Sequence, residues 1–156
     1  MTADRFEAAT GDGPASPAGA AERRAAEVGV AFEGLLQIRR LTVTAGGDPR
    51  AVPAVWERNR PVRAVALALE AAGFPPSALD AAGHRVATGY RVAPGERPGT
   101  VRVEWLGPPG SGAAQEEEGA LSACARELDR LGWEALLYRG PRKRRFLEVE
   151  PLPAPR

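Results

Sequence analysis

Residues Gln115–Glu150 read QEEEGALSACARELDRLGWEALLYRGPRKRRFLEVE and carry the clearest pattern in the chain. An apolar face recurs there at helical spacing and consists of Leu121, Cys124, Ala125, Leu128 and Leu131. Gly132 follows this face and can take the left-handed conformation that commonly ends a helix. Two apolar-rich runs come next, at Glu134–Tyr138 and Phe146–Val149, separated by a turn rich in bases. The stretch therefore predicts a helix, a strand, a basic turn and a second strand.

The same order of elements is predicted earlier in the chain. A helix begins near Pro61 and ends at Gly73, with its apolar stripe at Val62, Val65, Ala66 and Leu69. Alternating apolar residues then predict a hairpin, with strands around Val86–Val92 and Val101–Trp105. A shift of 59 residues places the first stripe on the second and Gly73 on Gly132. This match indicates an internal repeat of two helix–hairpin units.

Two such units predict an α+β fold, in which two long helices cover one face of an antiparallel sheet of about four strands. A further strand predicted at Leu41–Thr44 gives a second interpretation, because the element order then becomes ferredoxin-like with an extra strand. A winged helix ranks third, since the hairpin at 86–106 interrupts the helix-turn-helix that it needs. Short helical segments are also predicted after Asp48 and at Ser77–Ala82, from their capping patterns.

The pattern divides the chain into a body and two tails. Residues 1–19 are rich in Ala, Gly and Pro without a periodic apolar face, which predicts a disordered N-terminal tail. Residues 20–150 are predicted to form a single α+β domain, in which a helix occupies about 20–40 and a flexible connector occupies 107–114. Residues 151–156 are predicted to be a C-terminal tail.

Composition limits the classes of function. The 21 basic and 20 acidic residues give a net charge of +1, so the whole chain does not attract polyanions. Lys143 is the only lysine, and such an excess of Arg, with abundant Ala and Gly, is typical of a GC-rich bacterial genome. The sequence starts without the pattern of a signal peptide and has no apolar run of about 18 residues, which predicts a cytoplasmic protein without a membrane anchor.

Residues that could perform catalysis are scarce. Cys124 is the only cysteine and lies on an apolar helix face, while His84, the only histidine, lies in a predicted loop. Neither a nucleophile–base pair nor a nucleotide-binding motif can be recognised. Three carboxylates at Glu116, Glu117 and Glu118 suit the positive end of the last helix rather than a metal ion. We therefore expect no enzymatic activity, no cofactor and no metal site.

The strongest candidate site is the basic turn of the last hairpin. Five bases and no acid occur within seven residues, and the predicted site consists of Arg139, Arg142, Lys143, Arg144 and Arg145 with the neighbouring Tyr138. Such a density of positive charge repels itself, and an anionic partner would relieve this repulsion. The turn thus predicts a small binding protein that contacts nucleic acid or another polyanion.

Two other interpretations of the turn remain. It could be a solubilising loop whose arginines pair with nearby carboxylates. The protein could also be a protein-interaction or ligand-sensing regulatory module without a role in nucleic-acid binding, forming an ACT-like or ferredoxin-like homodimer through a sheet edge. That second alternative rests on an analogy between folds.

Overall fold

The computed structural model describes residues 6–42 and 47–153, and these residues form an α+β fold. The α-helices among them are α1 (Ala21–Thr42), α2 (Val55–Asn59), α3 (Pro61–Ala71) and α4 (Ala113–Arg130). The strands are β1 (Ala78–Leu79), β2 (Arg85–Ala87), β3 (Gly89–Pro94), β4 (Val101–Leu106), β5 (Trp133–Arg139) and β6 (Arg145–Pro151). Two short 3-10 turns lie at Pro49–Ala51 and Pro141–Lys143.

The main sheet has four antiparallel strands in the order β3-β4-β6-β5. It consists of the hairpins β3–β4 and β5–β6, which join where Val103 of β4 lies opposite Leu147 of β6. Strands β1 and β2 pair separately as a two-stranded sheet. The α+β class and the antiparallel four-stranded sheet are thus confirmed.

One apolar cluster connects the sheet with α3 and α4. Strand β4 buries every second residue, as its alternation predicts, and α4 buries the positions that its helical spacing selects. The buried side chains include Val65, Leu69, Tyr90, Val101, Val103, Trp105, Leu121, Cys124, Leu128, Trp133, Leu147 and Val149. Gly132 ends α4 with a φ of +89°, and a Cβ there would lie 2.2 Å from the carbonyl oxygen of Ala51. Both facts make glycine the residue that fits at this position.

The C-terminal end of the first long helix differs from the prediction. Leu41 and Thr42 belong to α1, so the strand predicted at Leu41–Thr44 is wrong for these two residues, and the other two lie outside the described residues. Alternation of Ile38, Leu41 and Val43 with polar residues suggested a strand, but Arg39 in this run is buried and serves a tertiary contact.

The predicted helical turn at Ser77–Ala82 is also wrong, because β1 occupies part of it. The Asp80 carboxylate accepts hydrogen bonds from the backbone N–H groups of Ala82 and His84, both at 2.9 Å. The Ser77 hydroxyl donates to the carbonyl of Ala87, at 2.8 Å. These side chains therefore stabilise a turn between two short strands rather than the start of a helix.

A buried ion pair connects α1 with α2. Arg39 donates two hydrogen bonds to the carboxylate of Glu57, at 2.7 and 2.6 Å, and both side chains are about 1% exposed. The Nη1 nitrogen of Arg39 donates to two backbone carbonyls, that of Leu131 at 2.8 Å and that of Arg50. Glu57 accepts in addition from the backbone N–H of Ala54, at 3.0 Å. The pair thus joins α1, α2, the first 3-10 turn and the end of α4.

Residues 6–13, which we call the N-terminal strap, lie against the edge of β3. The carbonyl of Thr10 accepts a hydrogen bond from the N–H of Val92 at 2.7 Å. Asp12 binds Arg85 at 2.6 Å and Arg91 at 2.8 Å. Burial alone would raise the pKa of Asp12, but the two guanidinium groups hold this pKa below its usual value. The sequence analysis did not predict these contacts, since the strap has no periodic apolar face.

The start of α1 is fixed to the same region. Arg24 donates to both carboxylate oxygens of Glu70 on α3, at 2.7 and 2.8 Å. Glu70 also accepts from the N–H of Ala9 in the strap, at 2.9 Å. Gly11 lies so close to β3 that a Cβ would be 2.3 Å from the carbonyl oxygen of Tyr90. The strap, α1 and α3 therefore depend on one another for their positions.

We expect Glu57→Ala to lower the free energy of unfolding by about 3–5 kcal/mol, because it leaves the Arg39 guanidinium buried without a counter-charge. Urea unfolding of this variant and of Glu127→Ala would measure the difference. Glu127 pairs with Arg130 on the surface, so its loss should change stability little. Equal effects of the two changes would contradict the structural role of the buried pair.

Leu128→Ala should lower the free energy of unfolding by about 2–5 kcal/mol. Leu128 is fully buried between α4 and the sheet, and the shorter side chain leaves a cavity. The urea midpoint measures this loss, with Leu41→Ala as the control, since Leu41 is 70% exposed on α1. A midpoint for Leu128→Ala close to that of the unmodified protein would show that α4 does not stabilise the core.

Candidate nucleic-acid interface

The predicted site lies at the tip of the β5–β6 hairpin, where Arg139 is directly opposite Arg145. The chain turns through Gly140–Arg144, and the N–H of Gly140 donates to the carbonyl of Arg144 at 2.6 Å. Arg142 and Lys143 each have a φ of 60°, in the left-handed region that residues with a Cβ rarely occupy. Two consecutive left-handed residues place both exposed side chains at the apex of the hairpin.

Helix α4 neutralises two of the five predicted bases. The Glu117 carboxylate is 2% exposed and accepts a hydrogen bond from the backbone N–H of Arg145 at 2.7 Å. It lies 3.4 Å from Nε of Arg144 and 3.9 Å from the Arg145 guanidinium. Glu118 lies 3.7 Å from the Arg145 guanidinium. Arg144 and Arg145 therefore anchor the hairpin to α4.

The remaining three bases are exposed. Among the residues that the structure describes, no carboxylate lies within salt-bridge distance of Arg139, Arg142 or Lys143. Arg139 is on the α4 side of the sheet, in register with Arg145, whereas Arg142 and Lys143 are at the apex. The structure thus divides the predicted cluster into an anchoring pair and three bases without a described counter-charge.

Tyr138 lies on the other face of the hairpin, next to Phe146. The two rings are stacked with centroids 5.8 Å apart and planes inclined by 26°. The guanidinium of Arg102, on β4, lies 3.8 Å from the centroid of the Phe146 ring. The strand register places Leu136 on the same face of the sheet as Tyr138 and Phe146, and we call this face the outer face. Leu136 and Tyr138 are both more than 40% exposed. A stacked aromatic pair with one exposed ring, Tyr138, and an adjacent cation is a surface on which a planar base can stack.

The arginines elsewhere on this face lie beside carboxylates. Arg91 binds Glu104 at 2.9 Å, and Arg97 binds Glu148 at 2.9 Å. The Glu148 carboxylate raises the pKa of Arg97 above its usual value. Positive charge without a described counter-charge is therefore concentrated at the hairpin tip, beside the aromatic pair.

Sequence reasoning missed Arg102 and Leu136 and treated Phe146 only as a flanking residue. The alternation of β4 indicated that Arg102 points away from the core. Its contact with Phe146 depends on the pairing of β4 with β6, and these strands are separated by all of α4 and β5. A single sequence shows no signal for that pairing.

The two residues considered for nucleophilic chemistry lie apart from this surface. Cys124 is buried in the apolar cluster, and burial raises the pKa of its thiol to about 12. His84 is exposed near Asp80, at the turn between β1 and β2. In the described part of the chain, no three carboxylate, His or Cys side chains are grouped so that they could hold a metal ion.

The chain matches no protein-family model, no curated protein and no solved structure. Within residues 6–42 and 47–153, none of the helices combines the length and the apolar character needed to cross a bilayer.

Glu117→Gln should increase hydrogen exchange at the Arg145 amide, because a neutral acceptor binds this N–H more weakly than a carboxylate does. The free energy of unfolding should fall by about 1 kcal/mol, the difference between a hydrogen bond to a charged group and one to a neutral group. Glu118→Gln is the control, since Glu118 is 67% exposed. Unchanged exchange at Arg145 in the Glu117 variant would contradict the anchoring role.

Proposed function

We propose that this protein is a non-enzymatic nucleic-acid-binding protein that holds a single-stranded segment on the outer face of the β5–β6 hairpin. The observation that carries the proposal is the stacked pair of the exposed Tyr138 and the half-buried Phe146, with the Arg102 guanidinium over the Phe146 ring. Stacking of a base on such a ring contributes about 1–3 kcal/mol and tolerates any base.

The apex bases supply the second part of the proposed site. Arg142 and Lys143 extend beyond the end of the aromatic surface and are exposed. A strand whose bases stack on Tyr138 would place its phosphates near these cations, which supports binding through charge as well as stacking. Arg139 contributes from the other side of the tip, whereas Arg144 and Arg145 stabilise the hairpin.

The proposal includes the arrangement of the helices. We propose that α3 and α4 cover the same face of the sheet, as two helix–hairpin units. Support comes from the shared apolar cluster, which contains Leu69 of α3, Leu128 of α4 and Val103 of β4. The neighbours of Val103 on β4, Arg102 and Glu104, are only half-buried. This arrangement leaves the outer face accessible to a ligand.

Fluorescence anisotropy with a labelled single strand of about ten nucleotides tests the proposal, since sites of this kind take roughly 4–16 nucleotides. Tyr138→Ala should weaken binding by about 5- to 150-fold through lost stacking, with little change in the salt dependence. A duplex of the same sequence should bind more weakly, because its bases are not available for stacking.

The charge contribution is tested with Arg142→Asn combined with Lys143→Asn. Asparagine tolerates the left-handed conformation, so the exchange preserves the turn. The slope of log K against log salt should become shallower by about 1.4, from two lost contacts to a single strand. This pair is a sharper test than the removal of all four bases at 142–145, because Glu117 would then be buried without Arg144 and Arg145.

Arg23→Gln with Arg40→Gln is the matched control, since both arginines are exposed on α1 and the net charge changes equally. Its affinity should equal that of the unmodified protein. The proposal is wrong if no oligonucleotide binds at low salt. It is also wrong if the Tyr138 and apex variants bind as tightly as the control.

One observation favours a second candidate function, a protein-interaction module that forms a homodimer through a sheet edge. Strand β5 is at the edge of the sheet, and Leu136 and Leu137 are 45% and 40% exposed on its two faces. Exposed apolar residues on an edge strand are typical of a surface that pairs with another strand. Sedimentation equilibrium over a range of concentrations tests this function without any oligonucleotide.

A further inference from the structure

The two edges of the main sheet differ. At the β3 edge, the N–H of Val92 donates to Thr10 in the strap, and the N–H of Tyr90 donates to the carbonyl of Pro75 at 2.9 Å. Ser77 also donates its N–H to the carbonyl of Tyr90, at 2.9 Å. At the β5 edge, no strand within residues 6–42 and 47–153 pairs with the outer side of Trp133–Arg139. Among the residues that the structure describes, one edge is therefore covered and the other has unpaired backbone groups.

We propose that β5 pairs antiparallel with β5 of a second copy of this chain, with Leu136 on the two-fold axis. This inference deepens the second candidate function and does not depend on nucleic-acid binding. It assigns the partner, the strand and the register of the contact.

The occupied β3 edge favours a second copy in this geometry. A free β3 edge would allow β5 of one molecule to add to β3 of the next, which produces an open filament. Because the strap, Pro75 and Ser77 occupy that edge, the main-sheet edge of a second copy that remains for β5 is the equivalent β5. This pairing is isologous and closes after two chains.

Symmetry restricts the register. A two-fold axis perpendicular to the sheet keeps each side chain on its own face, so paired residues must have sequence numbers of equal parity. Centring the axis on Leu136, the middle of the seven-residue strand, pairs all seven residues. A shift of the axis by one residue leaves backbone groups at both ends unpaired.

The side chains of β5 suit this register. Leu136 lies against Leu136 of the second copy on the outer face, and Ala135 lies opposite Leu137 on the other face. Glu134 meets Tyr138 of the second copy, so like charges are not opposed anywhere along the strand. The contact thus places an exposed leucine of β5 beside an apolar residue of the second copy on each face, Leu136 on one and Leu137 on the other.

Cysteine cross-linking tests the register. Facing residues of antiparallel strands have Cα atoms about 4.5–5.5 Å apart, within the range of a disulfide. Leu136→Cys should therefore form a covalent dimer under mild oxidation. Tyr138→Cys should not, because the two copies of residue 138 would be about 14 Å apart along the strands. Cys124 is fully buried, so it does not compete in the folded protein.

Sedimentation equilibrium tests the dimer without cross-linking. The unmodified protein should approach a mass of about 33 kDa, twice the 16.5 kDa of one chain. Leu136→Lys should weaken association roughly tenfold or more, because like charges then face each other on the axis. Val86→Lys is the matched control, since Val86 is also exposed on a short strand, at 46%.

The outcomes separate this inference from the proposed binding function. Selective cross-linking at residue 136 together with monomeric Leu136→Lys supports the β5 dimer. A protein that stays at 16.5 kDa at every concentration overturns it, as does a dimer that cross-links equally at 136 and 138. Sedimentation uses no oligonucleotide, and anisotropy with the Arg142→Asn, Lys143→Asn variant tests nucleic-acid binding at residues outside β5. Either function can therefore fail while the other stands.

Discussion

The arrangement of the helices depends on the buried ion pair between Arg39 and Glu57. Moving two charges out of water costs several kcal/mol per ion, and attraction offsets this cost only when the remaining polar atoms are satisfied. Here the guanidinium donates to both carboxylate oxygens and to two backbone carbonyls, those of Leu131 and Arg50. These acceptors belong to different elements, so the pair forms only when α1, α2 and the end of α4 are all in place. It thus favours one arrangement over other compact ones.

Helix α1 illustrates why this constraint is needed. Its fully buried apolar side chains are few, mainly Val28 and Leu35, and they pack against Leu67 of α3. Two arginine contacts hold its ends, Arg24 with Glu70 and Arg39 with Glu57. At a rise of about 1.5 Å per residue, these contacts are about 22 Å apart along the helix axis. Two contacts this far apart fix the orientation of α1. The narrow apolar stripe of the helix would not fix it alone.

Local patterns predicted the elements that have a wide apolar face. Helices α3 and α4 and strand β4 were predicted because helical spacing or alternation selects their buried residues. Strands β5 and β6 were predicted from short apolar-rich runs. The predictions failed where a polar side chain decides the structure. Arg39 extends the helix through residues at which alternation suggested a strand, and Asp80 forms a turn where a capping pattern suggested a helix. The strap belongs to the same group, since Asp12 and Glu70 fix it through contacts distant in sequence.

The candidate site, too, was only partly predictable from local sequence patterns. Sequence reasoning located the basic turn, because five bases within seven residues are visible without a fold. It could not identify the bases that have no carboxylate beside them, since Glu117 and Arg144 become neighbours only when α4 packs beside the hairpin. The pairing of β4 with β6 places Arg102 against Phe146, so the aromatic surface is also a product of the sheet order. The site is better described as a strand face with a basic apex than as a loop.

The two proposed functions are compatible because the axis of the β5 dimer is perpendicular to the sheet. Rotation about such an axis keeps the outer face of each copy on the same side. The aromatic surfaces of two copies would then belong to one continuous face, with their Tyr138 residues about 14 Å apart along the strands. A single strand that reaches both surfaces binds the second one intramolecularly, at a high effective concentration. Weak stacking at each copy can therefore produce firm binding by the pair, provided that Leu136 is on the axis and Tyr138 remains exposed beside it.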